Sequence, residues 1–176
     1  VTVVFNFFAV PYIQMVPVIA RDVLGVGEVL FGVLMSAAGM GALVGSLLIA
    51  SRQIYRQGTV YIVGASLMLA ALFLFAFSQV YLISIVLLFV AGLGTAGFAT
   101  MQITIALRAV PADMRGRAMG AIALGIGASP LGMWVMGELA EALSTQAALA
   151  LLTGTGLIVM IIMHWRLPEL RDWASQ

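Results

Sequence analysis

Cysteine and lysine are absent from the 176 residues, and histidine occurs once. These gaps exclude disulfides, thiolate metal sites, cysteine nucleophiles and a histidine metal cluster. Charge is scarce as well: eight arginines and seven acids make up 9% of the chain, for a net charge of +1. A soluble domain carries about a quarter charged residues, and so few ionisable side chains leave a surface uncovered in water. The near-even balance offers no basic footprint for nucleic acid. What the chain has in plenty is apolar: 63% of its residues, with a mean hydropathy of +1.15. That composition excludes disorder and makes a lipid bilayer the solvent in which the chain folds.

The spacing of the few charges sets the spans, because a membrane helix needs about 20 apolar residues to cross about 30 Å of hydrocarbon. Val1 to Ala20 holds 20 uncharged residues, Val29 to Ser51 holds 23, Ala118 to Gly137 holds 20 and Ala142 to Trp165 holds 24. A fifth gap, Gln57 to Leu107, is 51 residues, which is two crossings joined by a turn at Ser78-Gln79. The reading is an all-α membrane protein of six transmembrane helices, with approximate spans 1–20, 29–51, 59–78, 81–107, 118–137 and 144–165, and a cytoplasmic tail over 166–176. Continuous apolar runs such as Ala70 to Phe77 do not suit the alternating strands of a β-barrel. Internal prolines and glycines are tolerated in lipid, where neighbouring helices satisfy freed backbone groups and small residues permit close approach.

Arginines fall unevenly on alternate connections. One side has Arg52, Arg56, Arg108, Arg115, Arg117, Arg166 and Arg171; the other has Arg21 alone. Under the positive-inside rule both chain ends are cytoplasmic. The opposite loops are then Arg21 to Glu28, the turn near Gln79, and Glu138 to Glu141, while Tyr55, Tyr61, Tyr81 and Trp165 sit where interfacial rings belong. No initiator methionine or basic leader precedes the first span, so the chain reads as a piece of a longer protein.

The most specific stretch is Arg108-Ala-Val-Pro-Ala-Asp-Met-Arg-Gly-Arg-Ala-Met-Gly120. It resembles the V-P-x-x-x-R-G-R-x-x-G segment that precedes the eleventh helix of major facilitator superfamily transporters. Val16-Pro17, the Arg21-Asp22-Val-Leu-Gly25 loop, Gly32, Ser36, Gly39, Gly41 and Gly45 are similar to the same superfamily. Its enterobactin-exporter, or transmembrane secretion effector, group is the most alike. The resemblance implies the C-terminal six-helix half of a twelve-helix transporter, built as two three-helix units in an inverted repeat. It also implies export of a small amphiphilic substrate such as a drug or siderophore, by alternating access against the other six-helix half. Proton antiport across a bacterial inner membrane and the lack of any cofactor belong to the same implication. The loop Ser51-Arg52-Gln-Ile-Tyr-Arg56-Gln-Gly58 departs from the superfamily signature in lacking its acid.

The resemblance points the first and fourth spans at the substrate path. Their polar residues are Asn6, Tyr12 and Gln14, then Thr95, Thr100, Gln102 and Thr104. At about 100° per residue, Thr95 and Gln102 nearly superpose beside a stripe of Gly97, Thr100 and Thr104, so one side of that helix is polar and small. The alternative for these residues is plain helix-to-helix hydrogen bonding. Arg108, Asp113, Arg115, Gly116 and Arg117 are the expected cytoplasmic gate or hinge; the alternative is anchoring to anionic lipid for the arginines, while Asp113 is expected to cap the next helix. Gly125, Gly127, Pro130 and Gly132 resemble the glycine-proline motif of antiporters and are expected to let the fifth span bend; the alternative is simple tight packing. No acid lies within the predicted spans, so a coupling acid belongs to the other half.

Two other classes compete. Ser129 with His164 suggests a membrane serine protease, but Ser129 lies roughly 17 Å deep at about 1.5 Å per residue, whereas His164 is at the surface beside Trp165. A self-contained six-helix channel or structural subunit is the second, though neither a re-entrant filter nor a charged ring is visible.

Overall fold

The computed structural model describes residues 1–52 and 54–166, and every regular element among them is helical. Helices α1 (Thr2–Phe8) and α2 (Tyr12–Asp22) form the first crossing, α3 (Glu28–Ala50) the second, α4 (Gln57–Phe75) the third and α5 (Tyr81–Arg108) the fourth. A 3-10 turn over Ala112–Met114 leads into α6 (Arg115–Ile126) and α7 (Ser129–Ala142), which make the fifth; α8 (Thr145–Arg166) is the sixth. The six crossings are long and apolar enough to span a membrane. Arg171 and the tail after Arg166 lie outside the described residues.

Two crossings are interrupted, the first where a continuous helix was expected and the fifth within the glycine-proline stretch expected to bend. In the first, Pro11 has no N–H to return to the Phe7 carbonyl, and the chain turns through Ala9 and Val10 before α2 begins. In the fifth, Pro130 likewise cannot reach the Ile126 carbonyl. The Ser129 hydroxyl donates to that carbonyl at 2.9 Å, so the break at Gly127-Ala128 leaves no bare acceptor there. Pro17, by contrast, is carried inside α2.

The connections differ from expectation at one end. Glu138 and Glu141 are not in a loop but in the last turns of α7, and the connection is only Leu143-Ser144. Glutamate is a good helix former, and here it is exposed. The stop signal is instead Ser144, whose Oγ accepts from the Ala147 N–H at 3.2 Å and caps α8. The turn before α5 is held by Ser78, bonded to Ser84 Oγ at 2.9 Å. At the same end, the Tyr81 hydroxyl donates to the Leu30 carbonyl at 2.8 Å.

Glycine decides how closely the helices pack. A β-carbon on Gly41 would strike the Phe89 carbonyl, and one on Gly92 would strike the Ala38 carbonyl, so α3 and α5 lie backbone to backbone. A β-carbon on Gly94 would sit 2.6 Å from the Gly64 carbonyl oxygen and 2.6 Å from the Met68 nitrogen, which brings α4 equally close to α5. On the other side of the bundle, Gly132 faces the Phe7 carbonyl and Gly125 faces the Thr2 side chain. These registers make the second and fourth crossings parallel, as are the first and fifth. The fourth crossing packs on the second and third, the first on the fifth and sixth, and the third meets the sixth. Exchanging the first three crossings for the last three maps these pairs onto one another, the arrangement of an inverted repeat.

Such contacts leave no room for a side chain. Gly94→Leu is expected to force α4 from α5 and destabilise the fold by about 1–3 kcal/mol or more. A thermal unfolding scan in detergent should show a clear drop in midpoint; an unchanged midpoint would mean that the helices do not approach as described.

Candidate substrate path and gate

Three elements converge at the arginine-rich end: the start of α1, the start of α4 and the last turns of α5. Phe5 lies flat on Phe98, with ring centroids 3.6 Å apart and planes 7° from parallel, and Tyr61 stacks at 5.1 Å on Phe98. Beneath the rings, the Thr2 hydroxyl donates to Gln102 Oε1 at 3.2 Å and lies 2.8 Å from the Tyr61 hydroxyl. A threonine hydroxyl has one hydrogen, so Tyr61 donates to Thr2 and Thr2 donates to Gln102. Asn6 Nδ2 donates to the Thr2 carbonyl at 2.9 Å. Tyr61 is therefore not an interfacial ring as its sequence position suggested; it is 7% exposed and ties α4 to α1. Tyr55 and Trp165 are 72% and 80% exposed, as interfacial rings are.

The polar residues assigned to the path fall into separate groups. Asn6, Tyr12 and Gln102 belong with the first crossing's packing: Asn6 and Tyr12 are buried and Gln102 is half-buried, its NH2 without a partner among the described residues. Gln14, past the Pro11 break, is exposed. Thr100 and Thr104 turn elsewhere, into a cavity of about 440 Å³ also lined by Gln57, Arg52 and Arg108. Thr104 donates to the Thr100 carbonyl at 2.8 Å, the local bond open to any helical threonine. Thr95 donates to the Ala91 carbonyl at 3.0 Å and contacts Met68 of α4, while Gly97 packs on Gly64. The single polar side expected of α5 is thus divided between α1, α4 and the cavity.

The expected gate is open to solvent. Asp113, Arg115, Gly116 and Arg117 are exposed. Met114, not Asp113, stands at the N-cap of α6, and no side chain caps it. The 3-10 turn over Ala112–Met114 takes Asp113 out of capping position. Arg108 closes α5 and lines the cavity. Of the bending residues, Gly125 and Gly132 are buried against α1, Gly127 marks the break, and Pro130 lies in the first turn of α7.

No group of three or more metal-ligating side chains occurs among the described residues. Ser129 is committed to the Ile126 carbonyl, and His164 lies beside Ile62, Val63, Ser66 and Trp165 rather than with Ser129. Three residues of this end were not among the site residues expected from the sequence. Thr2 and Gln57 sit next to span ends, where a polar residue attracts no notice, and Tyr61 carries the signature of a membrane-belt aromatic.

No curated protein and no solved structure matches the chain. The family model described as Major Facilitator Superfamily matches residues 1–175, nearly the whole chain. The chain therefore belongs to the Major Facilitator Superfamily, whose members are secondary transporters of small molecules and not enzymes.

Proposed function

We propose that this chain forms one half of an exporter of small amphiphilic molecules, the drug and siderophore class handled by the enterobactin-exporter group. It works by alternating access against a second six-helix body. The observation that carries this reading is how unevenly the crossings are covered. The third is 56% buried, whereas the second is 22% and the fifth 17% buried. On these two uncovered crossings small residues recur at helical spacing: Gly32, Ser36 and Gly39 on α3, then Gly116, Gly120 and Ala123 on α6. Each of these is exposed, and a β-carbon on Gly32, Gly39, Gly116 or Gly120 would meet nothing within 4 Å. Within the chain, unfilled small-residue stripes serve no packing purpose. They suit helices of a partner approaching as closely as α4 approaches α5.

The orientation follows the arginines, with both ends of the six-crossing unit in the cytoplasm of a bacterial inner membrane. Protons drive the cycle through an acid on the other half, because Glu138 and Glu141 lie at the far end of α7, away from the Thr2–Gln102 cluster. Gln102 and Gln14 offer amides to a passing solute, and Arg115 and Arg117 close the cytoplasmic side. The breaks at Pro11 and Pro130 give the first and fifth crossings joints about which to bend.

Gly39→Leu and Gly120→Leu are expected to leave the thermal midpoint of the six-helix unit nearly unchanged while abolishing transport, since the added side chains fill a space meant for a partner helix. Normal transport by both variants would remove the two-body reading. The chain has no cysteine, so a cysteine placed in it has no competing thiol within these 176 residues. Gln102→Cys and Gln14→Cys should react with a water-soluble thiol reagent in at least one transport state, and substrate should slow the reaction; a lack of reaction in every state would take these positions off the path. Replacing Arg115 and Arg117 by alanine should slow transport about threefold to tenfold with normal insertion, whereas unchanged turnover would reduce them to lipid anchors.

A further inference from the structure

We infer that the cavity at the arginine-rich end, between the end of α3, the start of α4 and the end of α5, binds a phosphate group that carries a neighbouring hydrogen-bond donor. That chemistry is shared by the headgroup of an anionic glycerophospholipid and by hydrogenphosphate. The cavity of about 440 Å³ is within the range of small-ligand sites, about 300–1,000 Å³.

Its charge is one-sided. Arg52 and Arg108 both line it, and no acid does among the described residues. The contrast with the opposite end is direct: Arg21 there is paired to Asp22 at 2.6 Å. The start of α4 borders the cavity together with the C-terminal ends of α3 and α5, so the helix dipoles do not add up to a positive field there and the positive charge rests on the two guanidinium groups. An arginine fork matches phosphate geometry.

The second observation is Gln57. It is 5% exposed, and its Oε1 is buried without a partner among the described residues. A buried acceptor left unsatisfied is costly, and this oxygen accepts only, so an anion alone does not complete it. The Thr104 hydroxyl has already donated to Thr100 and likewise retains only acceptor capacity. The ligand must therefore bring an O–H or N–H beside its phosphate. Ile49, Ile54 and Met101 supply an apolar wall next to these groups, which suits the glycerol and first methylenes of a lipid. The inference does not depend on what the protein transports.

The test uses the whole membrane protein that carries this chain, purified in detergent, with native mass spectrometry and thermal unfolding as readouts. The probes are phosphatidylglycerol, whose headgroup has hydroxyl donors, phosphatidylcholine, whose phosphate has none beside it, and inorganic phosphate. Phosphatidylglycerol should be retained and should raise the unfolding midpoint, while phosphatidylcholine does neither. Arg52→Gln and Arg108→Gln should each weaken binding about tenfold or more, and Arg21→Gln should not. Gln57→Leu removes the orphaned oxygen, so the lipid-free protein should be at least as stable as before yet lose its preference for phosphatidylglycerol. Displacement of the lipid by millimolar inorganic phosphate identifies a soluble ligand; resistance to it identifies the lipid. Equal retention of the two lipids by the unaltered protein, or unchanged binding by the Arg52→Gln/Arg108→Gln double variant, would overturn the proposal.

Discussion

A peptide group in hydrocarbon has no water to bond to, and every crossing of this protein is shaped by that constraint. Helix satisfies it along most of each span. What remains is to hold six apolar helices together where lipid is as apolar as their side chains, so that burial of leucine gives no preference for a neighbour over a lipid tail. The chain meets this with close backbone approach, at Gly41 and Gly92 between α3 and α5, at Gly64 and Gly94 between α4 and α5, and at Gly132 between α7 and α1. Dispersion and weak Cα–H···O contacts become appreciable only at such distances. The same rule explains the breaks. Where Pro130 removes a donor, Ser129 supplies one, and where Pro11 removes another, the exposed Phe7 carbonyl is packed beneath a glycine.

This framework also places the polar groups. Hydrogen bonds between side chains of different elements collect near the helix ends, while the mid-helix Thr95 and Thr153 donate to carbonyls of their own helices. The Tyr61–Thr2–Gln102 relay and the cavity of Arg52, Gln57 and Arg108 occupy one end, the Ser78–Ser84 pair and the Arg21–Asp22 pair the other. The two ends differ in kind. At the second, polar groups answer each other; at the first, beside the relay, cationic groups and an amide oxygen without a partner among the described residues stand at an open cavity. A secondary transporter draws on both: tight ends resist deformation, and loosely answered ends can change partners as the protein changes shape.

Much of the architecture was legible in the sequence, because lipid makes charge spacing a direct measure of span length. The six crossings and the superfamily follow from the positions of fifteen charged residues and one motif. The break at Pro11 was not legible, since Pro17 stands in equally apolar surroundings and is carried inside its helix, whereas the break in the fifth crossing falls inside the glycine-proline stretch where a bend was expected. At Pro11 the freed Phe7 carbonyl packs against Gly132, which is tertiary information, whereas the serine beside Pro130 acts locally on a carbonyl three residues back. Glu138 and Glu141 were misplaced for a related reason: charge was read as a loop, although glutamate at an exposed helix end keeps both its helix and its hydration. Periodicity put Thr95, Thr100, Gln102 and Thr104 on adjoining stripes of α5 but gave no knowledge of the three neighbours that divide them. The glycines show the limit most plainly. Gly39 and Gly41 look alike in sequence, yet one is open and the other is closed on Phe89.

The central claim is that lipid, rather than a protein core or water, surrounds the outer faces of α4 and α8. Nitroxide labels at Leu67, Leu74, Ile158 and Ile161, all exposed on those helices, would measure it directly in reconstituted vesicles by comparing collision with oxygen, which partitions into hydrocarbon, and with a water-soluble nickel chelate. The account predicts high oxygen and negligible nickel accessibility at all four positions. Nickel accessibility comparable to that of a label in an aqueous loop would contradict it.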